Sequence, residues 1–203
     1  MLAALWGELY AGIVTRERAQ AYATRPLRTR QLCWVHLARD FPARMARGGP
    51  AQAVGQALLE PAHVLFAWWH WVRDGTWRRA TLQRDVRPLR ASFRGELEQG
   101  RAWGCPKTTA TCRELRAREA ALWTCVRGEG IEPTNTAAKR QLRHAVHGRK
   151  PSYGTQRAQG SRFVASLLTV VVTCRHQGRT VLAYLTACGP AFYTGGAVPS
   201  LLP

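Results

Sequence analysis

The sequence predicts a mostly α-helical protein with a few short β-strands. Three observations predict it. Apolar residues recur at three- and four-residue spacing over most of the chain from about residue 35 onward, the period of a helix with one buried face. Only two stretches, 10–15 and 31–34, read as strands, and both are short. Apolar residues make up 46% and charged ones 21% of the chain, proportions that support a packed core rather than a disordered chain. Two short strands do not make a stable sheet by themselves, so either neighbouring strands or covering helices must complete them.

In chain order, Tyr10-Ala11-Gly12-Ile13-Val14-Thr15 reads as a buried strand. Gln31-Leu32-Cys33-Trp34 reads as a second one after a turn at Pro26. A helix over 36–45 ends at Gly48-Gly49-Pro50. The next covers 51–72, with Pro61 as a kink or boundary, because proline lacks the N–H that a helix interior needs. Its tract Phe66-Ala67-Trp68-Trp69-His70-Trp71-Val72 is aromatic on more than one face and reads as core or subunit contact. Asp74-Gly75 ends it. Amphipathic helices follow over 77–99 and 108–126, an antiparallel pair joined by 100–106. Thr134 is an N-cap candidate for a helix reaching about His147, with Ala138, Leu142 and Val146 on its apolar face and Lys139, Arg140 and Arg143 on the others. After a turn at 150–154, the stretch 160–176 is apolar nearly all round and reads as a central buried helix. A short helix over 179–188 and a frayed Gly- and Pro-rich tail from Gly189 complete the chain. The expected organisation is one domain over 1–190, with a helical insertion at about 51–130, and a disordered tail over 191–203.

Charge narrows the function. Thirty Lys and Arg face twelve Asp and Glu, a net +18, and the excess is spread along the whole chain rather than gathered in a tail. Such a molecule seeks polyanions. Nucleic acid is the commonest, because each phosphate neutralised by Lys or Arg releases a condensed counterion. An anionic membrane surface is the rival that a spread charge disfavours. The longest apolar tract, 163–174, is broken by Ser and Thr and is shorter than the roughly 20 residues a bilayer requires. The N-terminus lacks a basic region before its apolar stretch, which Glu8 interrupts, so it does not read as a signal peptide. Cys33, Cys105, Cys112, Cys125, Cys174 and Cys188 contain no Cys-x-x-Cys pair and fit a reduced, cytoplasmic protein. Cys33-x-x-His36 and His144-x-x-His147 have the outline of half zinc sites without matching halves, so packed cysteines and solvated histidines are the favoured reading.

Three segments carry a resemblance. Gln31-Leu32-Cys33-Trp34-Val35-His36-Leu37-Ala38-Arg39-Asp40-Phe41 is similar to Q-L-C-W-A-H-L-x-R-D-F of bacterial insertion-sequence-66-type transposases. Glu132-Pro133-Thr134-Asn135-Thr136-Ala137-Ala138-Lys139-Arg140-Gln141-Leu142-Arg143 resembles that family's P-T-N-N-x-A-E-R-x-L-R block. Arg149-Lys150-Pro151-Ser152-Tyr153-Gly154-Thr155-Gln156, then Gly160-Ser161-Arg162-Phe163 and Tyr184-Leu185, follow in the family's order. The resemblance spans about 9–190 and is weakest in the middle helices. It implies a ribonuclease-H-like catalytic fold of the DDE superfamily. There, three carboxylates hold two Mg²⁺ ions for in-line phosphoryl transfer on DNA ending in terminal inverted repeats.

Residue by residue, the resemblance implies an incomplete site. The strand bearing the first aspartate has no counterpart in this sequence, so the chain reads as a truncated, C-terminal part of the catalytic domain, its two strands the remainder of a five-stranded sheet. The pattern G-x-x-V-[ST]-D-R-x-x-A-Y maps onto Gly12-Ile13-Val14-Thr15-Arg16-Glu17-Arg18-Ala19-Gln20-Ala21-Tyr22, which puts Glu17 at the second carboxylate and makes it the one metal ligand expected here. The glutamate of A-E-R is Lys139, a cation where hard divalent ions need an oxygen. Arg140, Arg143, Arg149, Lys150, Arg157 and Arg162 are the expected phosphate contacts. The expectation is a transposase-family protein of DNA recombination that binds DNA, impaired in metal-dependent strand cleavage, acting alone, as a homo-oligomer or with other transposase subunits. The alternatives are a non-catalytic DNA-binding regulator and a basic helical protein that oligomerises through Trp68-Trp69-His70-Trp71.

Overall fold

A computed structural model describes residues 11–18, 25–45, 48–102, 105–149 and 154–201, and not the side chains of residues 44, 45, 50, 144, 145 and 149. The chain divides into two units, Met1–Asn135 and Thr136–Pro203.

In the first unit two strands, β1 (Val14–Arg16) and β2 (Arg30–Leu32), pair in parallel with Val14 opposite Arg30 and Arg16 opposite Leu32. Tyr10, the first residue of the predicted strand, lies outside the described residues. β2 runs through Cys33 into α1 (Trp34–Asp40), and α2 (Pro42–Met45) follows. Gly48 and Gly49 both take positive φ, a conformation that favours glycine, and this separates α2 from α3 (Gly49–Arg73). Pro61 does not end that helix. Val54, Leu58, Ala62 and Leu65 form one buried stripe across it, and their common burial offsets the roughly 3 kcal/mol that an interior proline costs.

α4 (Arg79–Ala102) buries Leu82, Val86, Phe93 and Leu97 against the same core. The single helix expected over 108–126 is three: α5 (Pro106–Ala117), α6 (Glu119–Leu122) and α7 (Thr124–Arg127), broken where Arg118 and Trp123 leave helical geometry. The second break has a visible cause. It releases the Leu122 carbonyl, which accepts from Gln31 Nε2 at 2.9 Å and from Trp34 Nε1 at 2.8 Å. Fully buried Gln31 also donates to Leu32 O at 2.7 Å and accepts from Cys125 N at 2.6 Å. Trp34, Phe93 and Trp123 fill the space between, with ring centroids 5.1 to 5.9 Å apart. Helices thus complete the two strands, one of the two solutions that their shortness allowed.

The second unit holds α8 (Thr136–Arg149), α9 (Ala158–His176) and α10 (Val181–Thr194). The apolar face expected on α8 is open, with Leu142 and Val146 exposed. α9 is not a central buried helix: Cys174 is its buried residue, while Phe163, Val164 and Leu167 are exposed. Hydropathy without clear periodicity cannot tell a buried helix from an uncovered one. α10 does not fray at Gly189 but continues through Pro190 to Gly195, which ends it in the left-handed conformation. Part of the stretch read as a tail is also held. Tyr184 donates its hydroxyl to Pro199 O at 3.0 Å, and Gln177 and Arg179 donate to Leu201 O and Ser200 O at 2.6 and 2.9 Å.

Candidate functional site

The carboxyl ends of parallel strands, where ligands gather in open α/β sheets, are where Glu17 lies. Cys33 N donates to Arg16 O at 2.8 Å, extending the ladder by one bond, and the next residue on β1 is Glu17. β2 turns into α1 at Cys33, so His36 lies in the first turn of that helix. His36 Nε2 stands 2.9 Å from Glu17 Oε1, the histidine almost wholly buried and the carboxylate half-exposed. Arg18 bridges Asp40 and Glu114, the latter at 3.5 Å, and Arg118 holds Glu114 at 2.5 Å. Among the described residues no three His, Cys, Asp or Glu side chains group so as to hold a metal ion.

The segment 132–135 docks on the same strand ends. Thr15 Oγ1 donates to Glu132 O at 3.4 Å, Trp34 N to Pro133 O at 2.9 Å, and Asn135 N to Cys33 Sγ at 3.4 Å. The zinc-like pattern Cys33-x-x-His36 is therefore spent on two other contacts, one to a backbone N–H and one to a carboxylate. Of its counterpart, His147 is exposed and the side chain of His144 lies outside the description. All six cysteines are free thiols. Burial pushes the Cys125 thiol up to about 12, which makes it chemically inert near neutral pH.

Lys139, Arg140 and Arg143 are exposed on α8, Arg157 is the exposed N-cap residue of α9, and Arg162 is exposed on its first turns. Arg149 ends α8 with its side chain outside the description, and Lys150 lies outside the described residues altogether. Residues 136–203 carry no Asp or Glu.

The aromatic tract of α3 divides between two roles. Trp69 is buried, with the Arg73 guanidinium 4.9 Å from its ring, while Trp71 is 40% exposed and packs on Trp77 at 4.8 Å. Two features escaped the sequence reading. One is Gln31 as a buried polar clamp. The other is Glu119, 4% exposed, whose carboxylate accepts from Arg90 Nε at 2.7 Å, Arg94 Nε at 3.0 Å and Arg116 at 3.0 Å. Burial alone would raise its pKa, but hydrogen bonds from Arg94 and Arg90 outweigh that and hold it below the ordinary carboxylate value. Spacing of four residues between Arg90 and Arg94 was the available signal, but it names no partner.

The parallel strand ends beside Glu17, with the Pro133-Thr134-Asn135 segment docked on them, are the candidate site of the first unit. A family model described as "Transposase IS66 family" matches residues 3–162, and the chain belongs to that family. No curated protein and no solved structure matches it.

Proposed function

We propose that this chain binds DNA as a member of its transposase family and does not itself cleave strands. The observation that carries the reading is the state of the two mapped carboxylate positions. Glu17 keeps a negative charge at the second position, but one of its oxygens is already engaged by His36 at 2.9 Å. The third position is Lys139, and an ammonium repels the divalent ions that the family's chemistry uses. These residues do not fit a pair of Mg²⁺ ions, so no catalytic step is assigned to them. Two parallel strands flanked by helices support reading the first unit as part of a ribonuclease-H-like fold. The exposed cations of a unit without carboxylates support the phosphate contacts.

The test has two arms. Purified protein with Mg²⁺ or Mn²⁺ and terminal-repeat DNA should leave the DNA intact, and nicking above a metal-free control refutes the loss of catalysis. In binding titrations, Arg140→Ala, Arg143→Ala, Arg157→Ala and Arg162→Ala should each weaken binding evenly across sequences and lower the log–log salt slope by about one. An unchanged slope in all four removes the proposed contacts.

A further inference from the structure

One cleft of the first unit combines positive charge with a buried donor that has no acceptor. It measures about 410 Å³ and lies between α4, which presents Gln83, Arg87 and Arg90, and Trp123 with Arg127 from the break and helix that follow α6. Positions 83, 87 and 90 fall on one helical face by their three- and four-residue spacing. Three guanidiniums line the cleft and no carboxylate does. Arg90 touches Glu119, but that buried carboxylate is shared with Arg94 and Arg116, so one anion faces three cations. Arg127 donates to the Thr124 hydroxyl at 3.0 Å, and Gln83 donates to Val126 O at 3.2 Å. Arg87 makes no hydrogen bond or ion pair among the described residues. Trp123 is 2% exposed, and its indole Nε1–H is buried with no partner among them. Buried donors are nearly always satisfied, so an acceptor oxygen is what this position lacks.

We propose that the cleft binds a phosphate group, with Arg87 and Arg127 as its cationic walls, Arg90 beside them and the unsatisfied Trp123 Nε1–H as a further donor. Guanidinium forks match phosphate oxygens in geometry and charge, and a cleft without carboxylates does not oppose them. The group is a backbone phosphate of DNA, which rests on the DNA-binding reading; free phosphate has the same chemistry, and the two sources separate by experiment.

The full chain is titrated with inorganic phosphate at constant ionic strength by calorimetry and with a labelled duplex by anisotropy over a series of salt concentrations. Arg87→Ala should weaken phosphate binding about tenfold or more, the usual loss for a charge-assisted hydrogen bond, and lower the salt slope for the duplex by about one. Trp123→Phe keeps an aromatic side chain but loses the indole N–H, and should weaken phosphate binding while leaving the slope unchanged. Arg84→Ala, whose exposed guanidinium pairs with Asp85, should alter neither titration. Wild-type constants for Arg87→Ala in both titrations overturn the site, whatever affinity the chain has for DNA, and leave the DNA reading to the cations of the second unit. A phosphate affinity that falls in Arg87→Ala, in a chain with no affinity for DNA, keeps the cleft as an anion site and removes the DNA reading. If Trp123→Phe fails to fold, Arg87→Ala decides alone, because Arg87 is exposed and holds no packing contact that folding needs.

Discussion

Replacing Gln31 by leucine should cost far more than its similar size suggests. The amide makes three buried bonds: Nε2 to Leu32 O and Leu122 O at 2.7 and 2.9 Å, and Oε1 from Cys125 N at 2.6 Å. Leu122 O would keep its bond from Trp34 Nε1, so its loss is small. The Cys125 N–H would lose the acceptor that Gln31 supplies, at about 1–3 kcal/mol, and the bond to Leu32 O adds about 1 kcal/mol. The sum is about 2–4 kcal/mol, an equilibrium shift of about 30- to 700-fold. All eight tryptophans precede residue 136, so tryptophan emission during urea unfolding reports the first unit alone. With a slope of about 2 kcal/mol/M, the midpoint should fall by about 1–2 M at unchanged slope. Val35→Ala, on the exposed side of α1, should shift it by no more than about 0.5 kcal/mol. A Gln31→Leu midpoint equal to that of Val35→Ala would show that the clamp does not hold strand and helices together.

Three other outcomes follow from the same packing. A β-carbon added at Gly100 would lie 2.6 Å from Cys112 Sγ and 3.2 Å from Val54 Cγ1, so Gly100→Ala should destabilise by about 1–3 kcal/mol; adding Cys112→Ala should recover part of that, and strict additivity in the double mutant would refute the contact. Glu119→Gln should lower stability at pH 7 by about 1–2 kcal/mol, a figure reduced because its arginine partners are partly exposed. Since the folded carboxyl lies below its ordinary value of 4.5, its charge stabilises fully above that pH and progressively less below it, so the gap to wild type in urea titrations should close as pH falls; a pH-independent gap would assign the effect to shape alone. Native protein treated with iodoacetamide at pH 8 should label half-buried Cys105 and Cys188 before Cys125, whose thiol is held near 12; mass-mapped labelling of Cys125 at an equal rate would contradict its burial.

Local chemistry made much of the fold legible. The Gly48-Gly49-Pro50 stop and the Asp74-Gly75 end are set by residues within a few positions of the boundary, and each was readable; the helix expected after an N-cap at Thr134 begins at Thr136. The break at Trp123 was not readable, because the acceptor released there serves Gln31 and Trp34, some ninety residues earlier in the chain. Of the two readings of Pro61, kink or boundary, the boundary does not occur: the buried stripe on either side carries the helix through it. In the site, Glu17 and His36 were both singled out in the sequence, one as a carboxylate position and the other as half of a zinc pattern. Nothing in the linear order says that parallel pairing of β1 with β2 brings the two within hydrogen-bonding distance.

The segment 31–36 shows how a few buried contacts hold the first unit together. Gln31 fixes β2 to the turn after α6, and Cys33 accepts from Asn135. Trp34 donates through its backbone to Pro133 and through its indole to Leu122, and His36 reaches Glu17. Four residues thus tie together the strand ends, the Pro-Thr-Asn segment and the helices over 106–127. Their identities are fixed by folding, since each substitution strands a buried polar group or opens a gap in the core. The side chain at position 139 is exposed on α8, where exchanging one long charged residue for another usually costs a fold little. Under the proposed mapping, charge at positions 17 and 139, rather than the packing of 31–36, decides whether a divalent-ion site can form.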